Sequence, residues 1–232
     1  MTDLVRRETA ALELMDDPAC DPVLLTRTYD QFAVVNRLVS GWRRLYVQTL
    51  RPVLAASARP TLLDVGFGGG DIPRQLARWA HRDGLDLAVT AIDPDPRALA
   101  HVRTASAGGP VAFRRASSAD LVAEGRRYDV VVSNHLLHHL DPRSLQELLA
   151  DSEQLAGRLA LHNDLRRSAP AYRAYALATR PLARSSFLHA DGLLSIRRSY
   201  RPHEIAGVRP GWSVRTAAPF RLLLQLDVAG AA

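Results

Sequence analysis

The sequence predicts an α/β fold with a doubly wound, mostly parallel sheet. Between residues 60 and 164, short apolar runs alternate with amphipathic stretches, which is the pattern of parallel strands joined by crossover helices. The first apolar run, residues 62–65, leads directly into four glycines within five positions. A length of 232 residues suits a single domain of this kind.

The composition predicts a cytoplasmic enzyme. Hydrophobic residues make up 47% of the chain, and no run approaches the roughly 18 apolar residues of a membrane span. The first residues contain no apolar signal core, and the single cysteine, Cys20, excludes an internal disulfide or a cysteine metal cluster. The net charge of +6, carried by arginine without any lysine, allows an anionic or carrier-bound substrate. No nucleic-acid-binding signature is present, so no nucleic-acid partner is expected.

Helices are expected before the sheet begins. Residues 1–20 are predicted to be mobile or loosely helical. Asp21-Pro22 can cap the helix after it, and apolar residues at helical spacing predict that this helix covers residues 23–39. A second helix is predicted over residues 42–54.

The predicted strands and helices of the sheet then alternate along the chain. Three consecutive valines, 130–132, indicate a strand buried on both faces. Strands are predicted over residues 62–65, 85–92, 111–115, 128–135 and 158–164. Helices are predicted over residues 72–81, 95–104 and 142–156, and a turn is predicted at Gly108-Gly109-Pro110.

The remaining chain is predicted to form a cap and a closing hairpin. Residues 165–201 carry eight arginines against one acid, Asp191, with aromatic and aliphatic residues between them. This composition fits a helical cap with a basic rim and an apolar lining, or equally a solvated helix whose arginine stems cover a core. A short helix is predicted after Pro202, and two final strands over residues 213–218 and 220–227 bring the sheet to seven.

The glycine-rich stretch indicates a ligand site at the end of the first strand. Glycines let backbone N–H groups and a helix N-terminus approach a ligand closely. The spacing is Gly66-x-Gly68-x-Gly70, with Asp64 before it. The sixth position of a dinucleotide fingerprint would be Asp71 rather than glycine, and no Gly-Lys-Ser/Thr follows as in a P-loop.

These residues resemble the first motif of class I S-adenosylmethionine (SAM)-dependent methyltransferases, and residues 29–46 are similar to the ubiquinone/menaquinone methyltransferase group. The resemblance implies a Rossmann-like methyltransferase fold. It divides the single domain into an N-terminal helical cap (1–55), a SAM-binding core (60–164), a basic cap insertion (165–205) and a C-terminal hairpin (206–232).

The resemblance also implies which residues bind SAM and its product S-adenosylhomocysteine (SAH). Asp93, at the tip of the second strand, would accept hydrogen bonds from both ribose hydroxyls, although it could be an ordinary turn residue. Asp120 would hold the adenine amino group, or it could cap a helix. The cofactor-binding residues implied are Asp64, Gly66, Phe67, Gly68, Gly70, Asp71, Asp93, Pro94, Ala119, Asp120, Asn134 and His135.

Histidines are the candidate catalytic bases. A phenol or enol acceptor must lose a proton, and a histidine with a pKa near 6.5 is a usable base at neutral pH. His139 is placed first because it follows the strand that faces the methyl group, and His138, His162 and His189 are the other candidates. Two adjacent histidines suggest a metal, but ligands on a helix need i, i+3 or i+4 spacing. Because the sequence shows no third ligand, no metal site is expected.

Three functions are compatible with the sequence. The first is methyl transfer to a small apolar aromatic, polyketide or quinone-like acceptor, either O-methylation in bacterial secondary metabolism or C-methylation in quinone biosynthesis. The second is SAM binding without transfer. The third is RNA or protein methylation, but base-nitrogen methyltransferases usually carry a Pro-Pro-Tyr-like motif where this chain has Asn134-His135-Leu136-Leu137. The oligomeric state is not specified by the sequence.

Overall fold

Seven strands form one sheet in a computed structural model that describes residues 4–105 and 109–228. The strand order is β3-β2-β1-β4-β5-β7-β6, and β7 alone runs in the direction opposite to the other six strands. The strands are β1 (Thr61–Val65), β2 (Ala88–Asp93), β3 (Val111–Arg115), β4 (Tyr128–Asn134), β5 (Ala156–Leu165), β6 (Ser213–Ala217) and β7 (Arg221–Asp227). The sheet confirms the predicted doubly wound fold.

Helices cover both faces of this sheet. They are α1 (Pro22–Val39), α2 (Trp42–Leu45), α3 (Arg51–Ala55), α4 (Asp71–Arg82), α5 (Pro96–Ala105), α6 (Ser118–Ala123), α7 (Pro142–Leu155), α8 (Ala169–Thr179), α9 (Leu188–Arg198) and α10 (Pro202–Ile205). Leu62 belongs to the buried cluster shared with α1 to α5, whereas its neighbour Leu63 belongs to the cluster shared with α6, α7 and α10. This alternation follows from the two-residue period of a strand.

The sheet register brings the residues that follow β1, β2 and β4 to one edge of the sheet. Val65, the last residue of β1, pairs with Ile92 of β2 and Ser133 of β4. The residues that follow these strands therefore meet beyond the carboxyl ends, where ligands bind in open α/β sheets. Arg221, the first residue of antiparallel β7, pairs with Leu165 at the same edge.

Several predicted boundaries differ from the observed ones. Residues 85–87 precede β2 rather than belonging to it, and the helix predicted over 42–54 contains a π-helical segment, Tyr46–Leu50, between α2 and α3. Asp21 caps α1 as predicted, by accepting hydrogen bonds from the N–H groups of Val23 and Leu24. The predicted turn at residues 108–110 lies partly, and residues 229–232 lie wholly, outside the described residues.

The prediction for the N-terminal segment was wrong for the part that the structure describes. Residues 4–20 contain only a short 3-10 helix, Leu14–Asp16, and are held against the body of the protein by arginines. Arg97 donates to the carbonyls of Met15 and Asp17, and Arg198 donates to that of Ala11. Arginine hydrogen bonds replace an apolar helix face here, so the hydrophobic pattern gave no signal. Within the described ranges, no helix is long and apolar enough to cross a membrane.

Candidate active site

The loop between β1 and α4 is open toward a cavity. Gly66, Gly68 and Gly70 all have positive φ angles, a conformation that glycine adopts without steric cost. A Cβ added to Gly68 would meet no atom within 4 Å, so the backbone faces free space at this point. The loop can therefore admit a ligand directly against its main chain.

Three carboxylates surround this loop. Asp93 accepts hydrogen bonds from the N–H groups of Gly68 (3.0 Å) and Asp95 (2.9 Å), and Asp71 accepts from the side-chain amides of Asn36 and Gln75. Asp64 is 2% exposed and its Oδ1 has no hydrogen-bond partner. Burial raises the pKa of all three carboxyls, and for Asp64 the neighbouring Asp71 and Asp93 add to the effect. A cationic ligand would relieve this accumulation of negative charge.

The cavity has a volume of about 490 Å³, within the range of small-molecule sites. Its walls come from the glycine loop, α1, the residues after β4, the N-terminal segment and the cap helix α9. The predicted cofactor residues that line it are Asp64, Gly66, Phe67, Gly68, Asp71, Asp93, Pro94, Asn134 and His135. Gly70 lies just behind the lining as the N-cap of α4.

The exit of β4 is held in a strained conformation by a buried arginine. His135 has a φ of 57°, which is uncommon for a residue other than glycine and often found at functional sites. Arg221 donates to Nε2 of His135 and to the side-chain oxygens of Asn134 and Asn163. Burial and then Arg221 lower the pKa of His135 well below its usual value. His135 is therefore neutral at neutral pH.

The two adjacent histidines on the 3-10 helix Leu137–His139 differ in their surroundings. Nδ1 of His138 lies 2.8 Å from Oδ1 of Asp164, and its Nε2 lies 3.5 Å from Glu13. Although burial acts to lower the pKa of His138, Asp164 and Glu13 outweigh it and raise this pKa to about 9. His139 is more open, with 27% of its side chain exposed, and both histidines line the cavity.

Glu13 is a buried cavity-lining side chain that the sequence interpretation missed. The N-terminal segment crosses the cavity because the N–H groups of Leu14 and Met15 donate to Asp191 of α9, at 2.7 and 3.0 Å. This places the 3% exposed Glu13 between His138, His139 and Ser195. A single glutamate more than a hundred residues from its partners leaves no spacing pattern to detect.

Besides Gly70, four predicted site residues do not line the cavity. Ala119 and Asp120 lie in α6, where Asp120 forms a capping box with Ser117, as the alternative interpretation anticipated. His162 is fully buried, bonded to Ser133 and Ser152 and stacked on Trp212, so its ring nitrogens face the protein interior instead of an acceptor. His189 bonds to Thr179 within the cap.

The expected basic rim of the cap is also not observed around the cavity. Arg198 is the one arginine among the lining residues described, and its guanidinium donates to the carbonyls of residues 11, 138 and 139. The ionisable lining is mainly acidic instead: Glu13, Asp16, Asp64, Asp71, Asp93, Asp95 and Asp191. Cap arginines satisfy buried backbone carbonyls, a role that composition cannot distinguish from anion binding.

Fold and site together define a doubly wound α/β protein with an acidic cavity at the carboxyl end of its sheet. Residues 62–156 match the model of a methyltransferase domain. This match, together with the fold, supports a class I SAM-dependent methyltransferase, a class whose cofactor is SAM. The site fits this cofactor, because the unpartnered Asp64 oxygen and its neighbours suit an ammonium and a sulfonium, and the open face of Gly68 beside Asp93 suits a ribose.

Curated relatives match over part of the chain. It is 37% identical over 82 residues to a ubiquinone biosynthesis O-methyltransferase of Methylobacterium sp. (strain 4-46), covering 34% of this chain and 30% of the relative. It is also 37% identical over 86 residues to the enzyme of that name from Caulobacter vibrioides, covering 35% and 32%. The chain thus aligns with about a third of the length of these relatives.

Solved structures match the fold more completely. An O-methyltransferase family protein from Burkholderia thailandensis superposes with a TM-score of 0.59 at 22% identity, covering 88% of this chain and 61% of that chain. The plantazolicin methyltransferase BpumL, in complex with SAH, gives a TM-score of 0.59 at 14% identity, covering 89% and 95%. At these identities the similarity concerns the fold.

Proposed function

We propose that the protein transfers the methyl group of SAM to a small, largely apolar acceptor, with O-methylation of an aromatic, polyketide or quinone-like hydroxyl as the leading reaction. One observation carries the proposal. The cavity joins the acidic glycine loop, which suits a sulfonium cofactor, to a pair of histidines beside an apolar wall.

SAM supplies an electrophilic methyl group on a positively charged sulfur. The chain must hold the acceptor oxygen in line with that methyl group, and positioning of this kind supplies much of the acceleration. Asp93 and the main chain of Gly68 hold the ribose end, while Asn134 and His135, fixed by Arg221, hold the methionine end. Residues of the N-terminal segment and of α9 form part of the cavity wall.

His139 is the base in this proposal. It is the more accessible of the two lining histidines, whereas His138 is buried and its Nδ1 lies 2.8 Å from Asp164. Removing the acceptor proton at His139 generates an oxyanion next to the methyl group.

The apolar residues that line the cavity favour an apolar, planar acceptor. Phe32, Val35 and Val39 of α1 line the cavity, as do Leu188 and Tyr175 of the cap. No free guanidinium among the described lining residues would hold a phosphate or carboxylate. The names of the matched curated relatives, ubiquinone biosynthesis O-methyltransferases, agree with O-methylation of a quinone-like acceptor. A role in secondary metabolism belongs to the same proposal.

The proposal is tested by SAH formation with a panel of phenols and hydroxyquinones, followed by mass spectrometry of the methylated product. Turnover with a phenol, reduced by His139→Ala without loss of SAH binding, is expected. Methylation at ring carbon would favour the quinone-type C-methylation alternative. Tight SAH binding without turnover on any acceptor would support a SAM-binding protein that performs no transfer.

A further inference from the structure

We propose that Glu13, His138 and His139 form a binding site for a divalent transition-metal cation, best matched by Zn²⁺, at the acceptor end of the cavity. The site joins two neighbouring residues of the 3-10 helix after β4 to a glutamate of the N-terminal segment. Its existence does not depend on the proposed methyl transfer, because binding of the ion can be measured without an acceptor.

The three side chains already converge. One ligand atom from each, a carboxylate oxygen and two imidazole nitrogens, lies within 4.8 Å of the others. Nε2 of His138 lies 3.5 Å from one Glu13 oxygen, and Nε2 of His139 lies 3.8 Å from the other. Ligand atoms around a tetrahedral zinc are about 3.3 Å apart, given bonds of roughly 2 Å. Small side-chain rotations are sufficient to reach that geometry.

The histidines reach a common point because they lie in a 3-10 turn and not in the α-helix that follows. Their rings are 4.3 Å apart with planes inclined by 36°, so both present an edge to Glu13. No metal site is expected from the sequence alone, because adjacent residues of an α-helix rarely bind one ion and no third ligand with clear spacing is visible. In the structure the histidines lie in a 3-10 helix, and the third side chain is Glu13 of the N-terminal segment.

Each ligand also has an outer partner that fixes its orientation. Asp164 contacts Nδ1 of His138 at 2.8 Å, which directs Nε2 toward Glu13, and Asp16 lies 3.3 Å from Nδ1 of His139. Ser195 donates to Glu13 at 2.8 Å. A carboxylate behind a ligating histidine is the usual supporting arrangement of zinc sites.

The local charge favours a cation. Glu13, Asp16 and Asp164 contribute three carboxylates around the two histidines, and Asp191 adds a fourth beside Glu13 and Asp16. The nearby guanidiniums of Arg7 and Arg198 are directed to the backbone carbonyls of residues 138–140.

Three protein ligands leave a fourth position, which is the pattern of catalytic zinc, and Glu13 and His139 both line the cavity. A hydroxyl of the acceptor bound there would have a lowered pKa. It would lose its proton to water before its oxygen displaces SAH from the methyl group. In this arrangement His139 is a ligand and the cation replaces it as the activating group.

The test is a calorimetric titration of the chelator-treated, full-length protein with ZnCl₂, with bound metal counted by elemental analysis. One zinc per chain is expected. Glu13→Gln and His139→Gln should each weaken binding by at least about tenfold, and Asp164→Asn by about 10- to 100-fold. His203→Gln is the matched control, because His203 and Glu204 form an exposed histidine–glutamate pair on α10, and it should bind zinc as the unaltered protein does.

SAH binding and far-ultraviolet circular dichroism verify that each variant is folded. Absence of stoichiometric zinc binding, or equal zinc affinity in Glu13→Gln and the unaltered protein, would overturn the proposal. A zinc-binding protein that methylates no acceptor would leave the metal site standing while the proposed function fails. Conversely, turnover unaffected by a chelator would show that His139 acts without a metal ion.

Discussion

Replacing Gly68 by alanine separates ligand binding from folding at the glycine loop. Gly68 has a φ of 50°, and a Cβ built on it would meet no protein atom within 4 Å. Because Gly68 lines the cavity beside Asp93, the added methyl group would occupy space that the cofactor needs. The substitution should therefore affect cofactor binding far more than packing.

The structure gives the size of both effects. An L residue in the left-handed region costs roughly 1–2 kcal/mol, and no clash adds to this at Gly68. The free energy of unfolding should fall by about that amount. Affinity for SAH should fall at least tenfold, or about 1.4 kcal/mol. Urea denaturation measures the first quantity and calorimetric titration with SAH the second.

Gly84→Ala provides a matched control. Gly84 has a φ of 75°, also has open space around a built Cβ, and lies after α4 outside the cavity lining. It should lose the same stability without any loss of SAH affinity. If Gly68→Ala bound SAH as tightly as Gly84→Ala does, the glycine loop would not be the cofactor site.

Three further variants test individual side chains. Asp93→Ala should weaken SAH binding at least tenfold because a ribose contact is lost, and unchanged affinity would remove Asp93 from the site. His139→Ala should lower turnover while leaving SAH affinity intact, and full activity would assign proton removal elsewhere. Burial lowers the pKa of His162 to about 4, against about 6.5 when unfolded. The unfolded state thus binds the proton more readily, so stability is lost as pH falls from 6.5 toward 4. This single group should cost about 2 kcal/mol between pH 7.5 and pH 5, and urea unfolding of His162→Gln should lack that part of the pH dependence.

The parallel core was predictable because local signals and tertiary structure agree there. The strand predicted before Gly66 is observed as β1, and the strand predicted from three consecutive valines is observed as β4. Asp93 lies at the end of β2, as expected. Glycine spacing, strand length and acidic residues at strand ends each depend on only a few neighbouring residues. The sequence therefore contains all the information needed to predict them.

The acceptor side was less predictable because it is assembled over long sequence distances. Glu13 reaches His138 through contacts between its own segment and Asp191, and no periodicity encodes them. Asp120 illustrates the opposite problem, since an acidic residue at a helix start satisfies both a capping and an adenine-binding interpretation, and its observed bonds are those of a cap. Arg198 presents the same problem, because it donates to backbone carbonyls. Composition alone does not distinguish this role from anion binding.

The central claim, that the acidic cavity around the glycine loop binds SAM, is tested most directly by calorimetric titration of the unaltered protein with SAH, ATP and NAD. SAH should bind with micromolar affinity, whereas Asp64, Asp71 and Asp93 should repel the phosphates of the other two ligands. Absence of SAH binding, or tighter binding of ATP or NAD, would contradict the assignment of the site.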